Sequence, residues 1–89
     1  MKKLNLGCGK DYKTGYVNLD NRKNIKTDVK HDLEKIPYPF KKNEFELVLM
    51  RNVLEHISDP VKTLKEVTRI KKKGGKILIT LPHAFSYAF

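Results

Sequence analysis

The chain has 89 residues, 39% hydrophobic and 33% charged, which is typical of one small soluble domain with a thin core. A single cysteine excludes an internal disulfide and a zinc knuckle, and no apolar run reaches the roughly 18 residues of a membrane span, so we expect a cytoplasmic protein. The net charge of +9 makes a nucleic-acid partner conceivable, but the lysines are scattered over turns without interleaved aromatic residues, so that partner is not favoured.

The amino-terminal segment predicts a strand that ends on glycines. Leu4-Asn5-Leu6 alternates apolar and polar residues, and Gly7-Cys8-Gly9 removes Cβ atoms where the strand would turn, so a ligand could approach the backbone. The third glycine of a dinucleotide-binding loop is absent, because Tyr12 stands in its place. Taken alone, the two glycines favour a tight turn over a ligand site, so the interpretation depends on later segments.

Two further strands are predicted before residue 34. Tyr16–Asp20 is the second strand, only about half a dozen residues after the first, whereas a parallel crossover usually takes about a dozen or more. The sequence therefore leaves open a hairpin or a parallel pair whose crossover is reduced to a turn. Thr27–Lys30 is a candidate edge strand, with His31-Asp32-Leu33 at its carboxyl end.

The middle of the chain predicts a loop, a buried strand and a turn. The prolines of Ile36–Phe40 forbid a helix and a central strand, so this segment is a surface loop anchored by its aromatic rings. Phe45–Met50 is a continuous apolar run, typical of a strand covered on both faces in a parallel sheet. Arg51–Ile57 follows as a short helical turn or loop.

The strongest helix signal follows. Ser58 or Asp59 is the predicted N-cap before Pro60 at the first helical position. One side of the helix repeats apolar residues every three positions, namely Val61, Leu64, Val67 and Ile70. Lys71–Lys73 is expected in the last turn, Gly74-Gly75 as the stop, and Lys76–Leu81 as another buried strand, which completes a βαβ unit.

The carboxyl-terminal segment is rich in aromatic residues and has no charged residue after His83. We expect Phe85, Tyr87 and Phe89 to form an apolar cluster, which predicts self-association into a homo-oligomer through this tail.

Polar and glycine residues follow several predicted strands at their carboxyl ends, where open parallel sheets bind ligands. They are Gly7-Cys8-Gly9, Asp20, Asp32-Leu33 and Arg51-Asn52. A carboxylate after the second strand can accept two hydrogen bonds from a ribose diol, and Asp32 can accept from an adenine amino group while Leu33 covers the ring. Each aspartate alone is more often a turn former, but their joint spacing favours a ligand.

The ordered motifs resemble those of class I S-adenosylmethionine-dependent methyltransferases, in a subgroup with a very short first crossover. The similarity lies in Leu4–Gly9, Asn18-Leu19-Asp20, His31-Asp32-Leu33, Phe45–Val48, Val53–His56 and Gly74–Ile77. The resemblance implies an α/β fold with a Rossmann-like, mostly parallel sheet of about five strands in the order 3-2-1-4-5 and few helices. It also implies S-adenosylmethionine as the cofactor.

The resemblance also implies roles for individual residues. Gly7, Cys8 and Gly9 would lie along the methionine moiety, Asp20 on the ribose, and Asp32 and Leu33 on the adenine. Arg51, Asn52 and His56 would flank the sulfonium. No metal site is predicted and no catalytic residue is assigned, because His56 and His83 lack an identifiable orienting partner and each favours a structural role.

Two departures from the family pattern are expected to matter. Glu46 stands where aspartate is common, which would place a longer side chain beside the cofactor rim. The chain also ends before the last two strands of the seven-stranded fold, so residues 1–89 are expected to form one S-adenosylmethionine-binding domain without most of its acceptor pocket. Three functions follow: methyl transfer to an unidentified small molecule, cofactor binding without turnover, or a fragment of a nucleic-acid methyltransferase.

Overall fold

The computed structural model describes residues 1–81 and the backbone of residues 86–88. A 3₁₀ turn at Leu54–His56 precedes the helix, and the other elements are β1 (Lys3–Leu6), β2 (Val17–Asp20), β3 (Val29–Lys30), β4 (Phe45–Arg51), α1 (Pro60–Ile70), β5 (Lys71–Thr80) and β6 (Ser86–Ala88). None of the helices in these residues is long and apolar enough to cross a membrane. The predicted aromatic cluster and His83 lie outside the side chains described, so self-association through the tail stays a prediction.

The strands form one sheet in the order β3-β2-β1-β4-β5-β6. The first five are parallel in the predicted order 3-2-1-4-5, and β6 adds an antiparallel pairing to β5. Leu4 lies opposite Val17 and Leu6 opposite Leu19, so β1 and β2 are parallel and the hairpin alternative is wrong. The carboxyl ends of β1 to β5 therefore meet at one edge of the sheet, as a Rossmann-like fold requires.

The crossover between β1 and β2 is a loop held by two buried asparagines. Asn5 Nδ2 donates to the carbonyl oxygen of Asp11 at 2.8 Å and to Asn18 Oδ1 at 3.0 Å. Asn18, which is fully buried, accepts from the amide of Lys13 and donates to its carbonyl oxygen, both at 2.9 Å. These side chains supply the partners that a helix would supply to its own backbone, so even this short connection can join parallel strands.

Helix α1 has the predicted start and a different end. Asp59, not Ser58, is the N-cap, because Asp59 Oδ1 accepts from the amide of Lys62 at 3.0 Å. The helix stops at Ile70, and Lys71–Gly75 already belong to β5, so the lysines are not in the last turn and the glycines do not end the helix. Lys71 pairs with Phe45 of β4, so the residues after Ile70 continue as a strand of the sheet and not as helix.

The buried face of α1 is partly polar. Val61, predicted in the apolar stripe, is 64% exposed, whereas Thr63, Glu66, Val67 and Ile70 are buried. Nine residues correspond to about 2.5 helical turns, so Val61 lies on the side of α1 opposite the buried Ile70. Glu66 is buried with a polar partner: its carboxylate accepts from the amide of Tyr38 at 2.7 Å. A polar residue with such a partner can occupy a buried position that periodicity assigns to an apolar one.

Residues 36–40 form the predicted aromatic-anchored loop, and α1 holds it in place. Arg69 donates to both carboxylate oxygens of Glu66, at 2.6 and 2.8 Å, and to the carbonyl oxygens of Phe40 and Tyr38. This hydrogen bonding to Arg69 lowers the pKa of Glu66 below its ordinary value. Tyr38 is 2% exposed, burial raises its pKa to about 12, and its hydroxyl donates to the carbonyl oxygen of Leu33 at 2.9 Å. The loop thereby fixes the segment after β3.

Candidate ligand site at the carboxyl ends of the strands

Two cavities meet at the carboxyl end of β1, and Gly7 lines both. The β2-side cavity has a volume of about 230 Å³ and the β4-side cavity about 310 Å³. The β2-side cavity is lined by Gly7, Asp20, Asn21, Arg22, His31, Asp32, Leu33, Glu34, Val53, His56 and Ile57. The β4-side cavity is lined by Asn5, Gly7, Cys8, Asp11, Arg51 and Asn52. Eight of the nine residues predicted for the site therefore line one or both cavities.

Gly9 is the predicted residue that lines neither cavity. It lies instead in a neighbouring concavity with Lys10, Tyr12 and Lys26. Its amide donates to Asp20 Oδ2 at 2.8 Å, so Gly9 shapes the site through Asp20.

Gly7 is held where no other residue fits. Its φ is +72°, and a Cβ atom would lie 2.6 Å from Val53 Cγ2 and 3.3 Å from Leu33 Cδ1. Its amide donates to the carbonyl oxygen of Leu19 at 2.8 Å, which ties the turn to β2. The backbone at the end of β1 is thus pressed between two side chains of the β2-side cavity, and a substituent would enter that wall.

Asp20 orders the loops on both sides of β2. It is 9% exposed, and its carboxylate accepts from three amides: Gly9 at 2.8 Å, Asn21 at 2.7 Å and Arg22 at 2.9 Å. An ionised carboxylate offers about four acceptor positions, so one remains, on the Oδ2 atom, for a ligand. To accept two hydrogen bonds from the ribose, as predicted, the Asp20 carboxylate would have to use one acceptor position that an amide already occupies.

The segment after β3 is fastened to the segment before α1. Asp32 Oδ1 accepts from the amide of Glu34 at 2.9 Å, and the Glu34 carboxylate accepts from the Ser58 hydroxyl at 2.6 Å and the Ser58 amide at 3.2 Å. Tyr38 also donates a hydrogen bond to Leu33. Residues 32–34, the outer wall of the β2-side cavity, are therefore held both by the loop at Tyr38 and by the segment before α1.

A left-handed residue and an ion pair line the β4-side cavity. Asn52 has φ +54° and donates its amide to the carbonyl oxygen of Thr80 at 2.8 Å, a conformation that asparagine tolerates better than other side chains. Arg51 Nη1 lies 2.6 Å from Asp11 Oδ2, which joins the end of β4 to the crossover loop. Both partners are about half exposed, so the pair contributes little to stability and leaves both charges available.

Cys8 does not have the surroundings of a nucleophile, and His56 lies at the edge of the site. Cys8 is 5% exposed, and burial, helped by the negative charge of Asp20, raises the pKa of its thiol. The thiol therefore stays protonated near neutral pH and is a poor nucleophile. His56 is exposed at the cavity rim, with Nε2 3.6 Å from Glu55 Oε1.

Glu46 is not beside this site, contrary to expectation. It lies near the start of β4, five residues or about 17 Å before Arg51, and its Oε1 is 3.6 Å from Lys72 Nζ. Arg51 and Asn52 occupy the end of the strand instead.

Several lining residues were missed by the sequence reasoning. Val53, Ile57 and Glu34 form walls of the β2-side cavity, and Asn5 and Asp11 line the β4-side cavity. Asn5 carried a signal, because an asparagine between two leucines of a buried strand needs a polar partner inside. The others depend on which loops meet in space.

Comparison with known proteins assigns the chain to a family. Residues 4–79 match the family model described as "Methyltransferase domain". The chain belongs to this methyltransferase family. The uncharacterized protein MJ0638 of Methanocaldococcus jannaschii is 37% identical in an alignment 89 positions long that covers 88% of this chain and 39% of that protein. The predicted family is confirmed.

Solved structures agree with the Rossmann-like fold of this methyltransferase domain. An S-adenosylmethionine dependent methyltransferase of Mesorhizobium loti superposes with a TM-score of 0.71 at 17% identity, covering 88% of this chain and 45% of that one. The trans-methyltransferase CalH in complex with SAH gives 0.66 at 20% identity, covering 88% and 31%. The domain thus spans less than half the length of each of these three proteins.

Proposed function

We propose that this domain binds S-adenosylmethionine across the two cavities and holds it for methyl transfer to an unidentified small-molecule acceptor. The observation that carries the proposal is the pair of cavities that share Gly7 and have different linings. The cofactor has a corresponding division into a nucleoside and a charged amino acid.

The β2-side cavity suits the nucleoside. Leu33, Val53 and Ile57 supply apolar surface for a planar base. Asp32 would accept from the adenine amino group, and the remaining acceptor position of Asp20 would accept from a ribose hydroxyl. The cradle at Gly7, which a Cβ atom would fill, lets the backbone run close to the ligand.

The β4-side cavity suits the methionine moiety. That moiety carries a carboxylate and an ammonium group, and Arg51 and Asp11 offer the complementary charges at the mouth of the cavity. Cys8 and Asn52 complete the lining, and the neutral thiol of Cys8 adds no charge beside a sulfonium.

When bound, the cofactor would supply an electrophilic methyl group on a sulfonium, a good leaving group. The domain's own residues then have chiefly to hold and orient the donor. Asp20 and Gly9 fix the loop after β1, and the tether between Glu34 and Ser58 fixes the outer wall.

A second function, cofactor binding without turnover, is favoured by one observation. Among the residues described, the β4-side cavity contains no histidine, its thiol is protonated, and its carboxylate, Asp11, is held in an ion pair with Arg51, so no free general base lines it for an acceptor that must lose a proton. Formation of S-adenosylhomocysteine from S-adenosylmethionine in the presence of candidate acceptors separates the two functions.

Calorimetric titration with S-adenosylhomocysteine tests the binding step. The wild type should bind, and Arg51→Gln should weaken binding at least fivefold while the melting temperature changes by less than a few degrees. Lys62→Gln, which removes one exposed positive charge on α1 outside both cavities, is the matched control and should bind normally. Absence of binding to folded wild-type protein would refute the proposal.

A further inference from the structure

The positive charge of the domain is concentrated at the end of the sheet opposite the two cavities. Eight lysines lie at or beside the starts of β1, β4 and β5, namely Lys2, Lys3, Lys41, Lys42, Lys71, Lys72, Lys73 and Lys76. We refer to them as the lysine cluster. Among the described acidic residues, Glu44 and Glu46 share that end, so the cluster carries a formal excess of six charges, two thirds of the net +9.

An irregularity in β5 gives the cluster a concave shape. Phe45 pairs with Lys71 and Leu47 with Lys76, so two steps along β4 correspond to five along β5 and three extra residues loop out. Gly74 has φ +77°, and a Cβ atom on Gly75 would lie 2.8 Å from the carbonyl oxygen of Glu46, so glycines are needed here. The result is a cavity of about 500 Å³ with Lys72, Lys73 and Lys76 in its lining.

Much of this charge is not neutralised within the described part of the chain. Lys2 pairs with Glu44, and Lys72 lies 3.6 Å from Glu46. Four exposed lysines, namely Lys41, Lys42, Lys73 and Lys76, make no ion pair with any carboxylate in residues 1–81. Mutual repulsion among these lysines would be relieved by a polyanion.

We propose that the lysine cluster binds the phosphate backbone of a nucleic acid without sequence preference. Three neighbouring strands, β1, β4 and β5, contribute lysines to the cluster. The outer two of these strands are about 10 Å apart, so the cluster is wider than a single phosphate group. Lysines are depleted from protein–protein interfaces, whereas nucleic-acid interfaces are strongly positive. Among the described residues, those that line the concavity include no aromatic side chain for base stacking, so the contacts we propose are to phosphates.

The position of the cluster separates this binding from the proposed chemistry. The start and the end of β4 are about 20 Å apart, so a polynucleotide on the lysine cluster would lie away from both cavities. The nucleic acid would be a docking partner and not the methyl acceptor. This inference does not depend on the proposed function.

Fluorescence anisotropy with a labelled 20-nucleotide oligouridylate, measured between 50 and 200 mM NaCl, tests the inference. The test variant changes Lys72, Lys73 and Lys76 to glutamine. Loss of three phosphate contacts should weaken binding about 100-fold at 100 mM salt and reduce the magnitude of the log–log salt slope by about 2. The matched control changes Lys30, Lys62 and Lys65 to glutamine, which removes the same charge elsewhere, and should weaken binding less than about fivefold.

Circular dichroism and S-adenosylhomocysteine titration should show the test variant to be folded and its cavities unchanged. Equal losses in the two triple variants, or an affinity of the wild type that does not change with salt, would overturn the inference. Tighter binding of a polyglutamate peptide of the same charge would overturn it too, in favour of an acidic protein partner. Loss of cofactor binding with RNA binding intact would refute only the proposed function.

Discussion

Replacing Gly7 by alanine tests the central feature of the site, the close passage of the β1 backbone between two cavity walls. The added Cβ atom would lie 2.6 Å from Val53 Cγ2, a distance that packed atoms do not adopt, and 3.3 Å from Leu33 Cδ1. Val53 is 6% exposed and belongs to the core, so it has little room to retreat. The backbone cannot rotate away freely either, because the Gly7 amide donates to Leu19.

Two energetic costs determine how much Gly7→Ala should destabilise the domain. A left-handed conformation costs alanine about 1–2 kcal/mol, and forcing a methyl group into a packed core costs about 1–3 kcal/mol. We therefore expect Gly7→Ala to lower the free energy of unfolding by about 2–5 kcal/mol, out of about 4–13 kcal/mol for a domain of this length. The displaced Val53 and Leu33 side chains would also enter the β2-side cavity and raise the Kd for S-adenosylhomocysteine at least tenfold.

Urea unfolding followed by circular dichroism measures the first effect, with Gly15→Ala as the matched control. Gly15 has φ +86°, and a Cβ atom added there would meet no other atom within 4 Å, so the substitution carries the conformational cost alone, about 1–2 kcal/mol. Adding Val53→Ala should relieve the clash, so the double variant should be at least about 1 kcal/mol more stable than the two single effects predict by addition.

Equal destabilisation by Gly7→Ala and Gly15→Ala would refute the reasoning, because it would mean that the added methyl group meets no resistance. Additivity with Val53→Ala would refute it independently.

Three further predictions concern the fold around the site. Asn18→Ala should destabilise the domain by about 2–4 kcal/mol in urea unfolding, because the backbone groups of Lys13 and Tyr16 and the Asn5 side chain lose buried partners; a change below about 1 kcal/mol would show that the loop does not need the network. Hydrogen bonding to Arg69 holds the pKa of Glu66 below its ordinary 4.5, so this carboxylate stabilises the fold above that pH and the contribution is lost as pH falls through the lower folded value. The urea midpoint of Glu66→Gln should consequently fall less than that of the wild type between about pH 5 and pH 3, and parallel curves would contradict the assignment. Asp59→Ala should cost about 1 kcal/mol as the loss of an N-cap, whereas Ser58→Ala should cost clearly less, since the side-chain hydrogen bond of Ser58 within residues 1–81 is to the exposed Glu34; the reverse order in thermal melts would mean that the cap is misassigned.

Local patterns in the sequence predict most of the elements and the ligand-bearing edge. Alternation and apolar runs predict β1, β2 and β4 to within a residue or two, and Asp59-Pro60 predicts the start of α1, because these signals involve neighbouring residues only. The ordered motifs predict the strand order and thereby place Gly7, Asp20 and Arg51 at one edge of the sheet.

Tertiary contacts settle what the local patterns leave open or predict wrongly. β2 runs parallel to β1, with Asn5 and Asn18 hydrogen-bonded across the pair, and α1 ends where Lys71 pairs with Phe45 of β4. The amino-acid order alone was enough to predict β1, β2 and β4 and the residues at their carboxyl ends, since periodicity and capping are properties of adjacent residues. The division of that edge into two cavities at Gly7 and the gathering of eight lysines at the opposite end came from the folded chain, because both depend on which distant segments pack against each other.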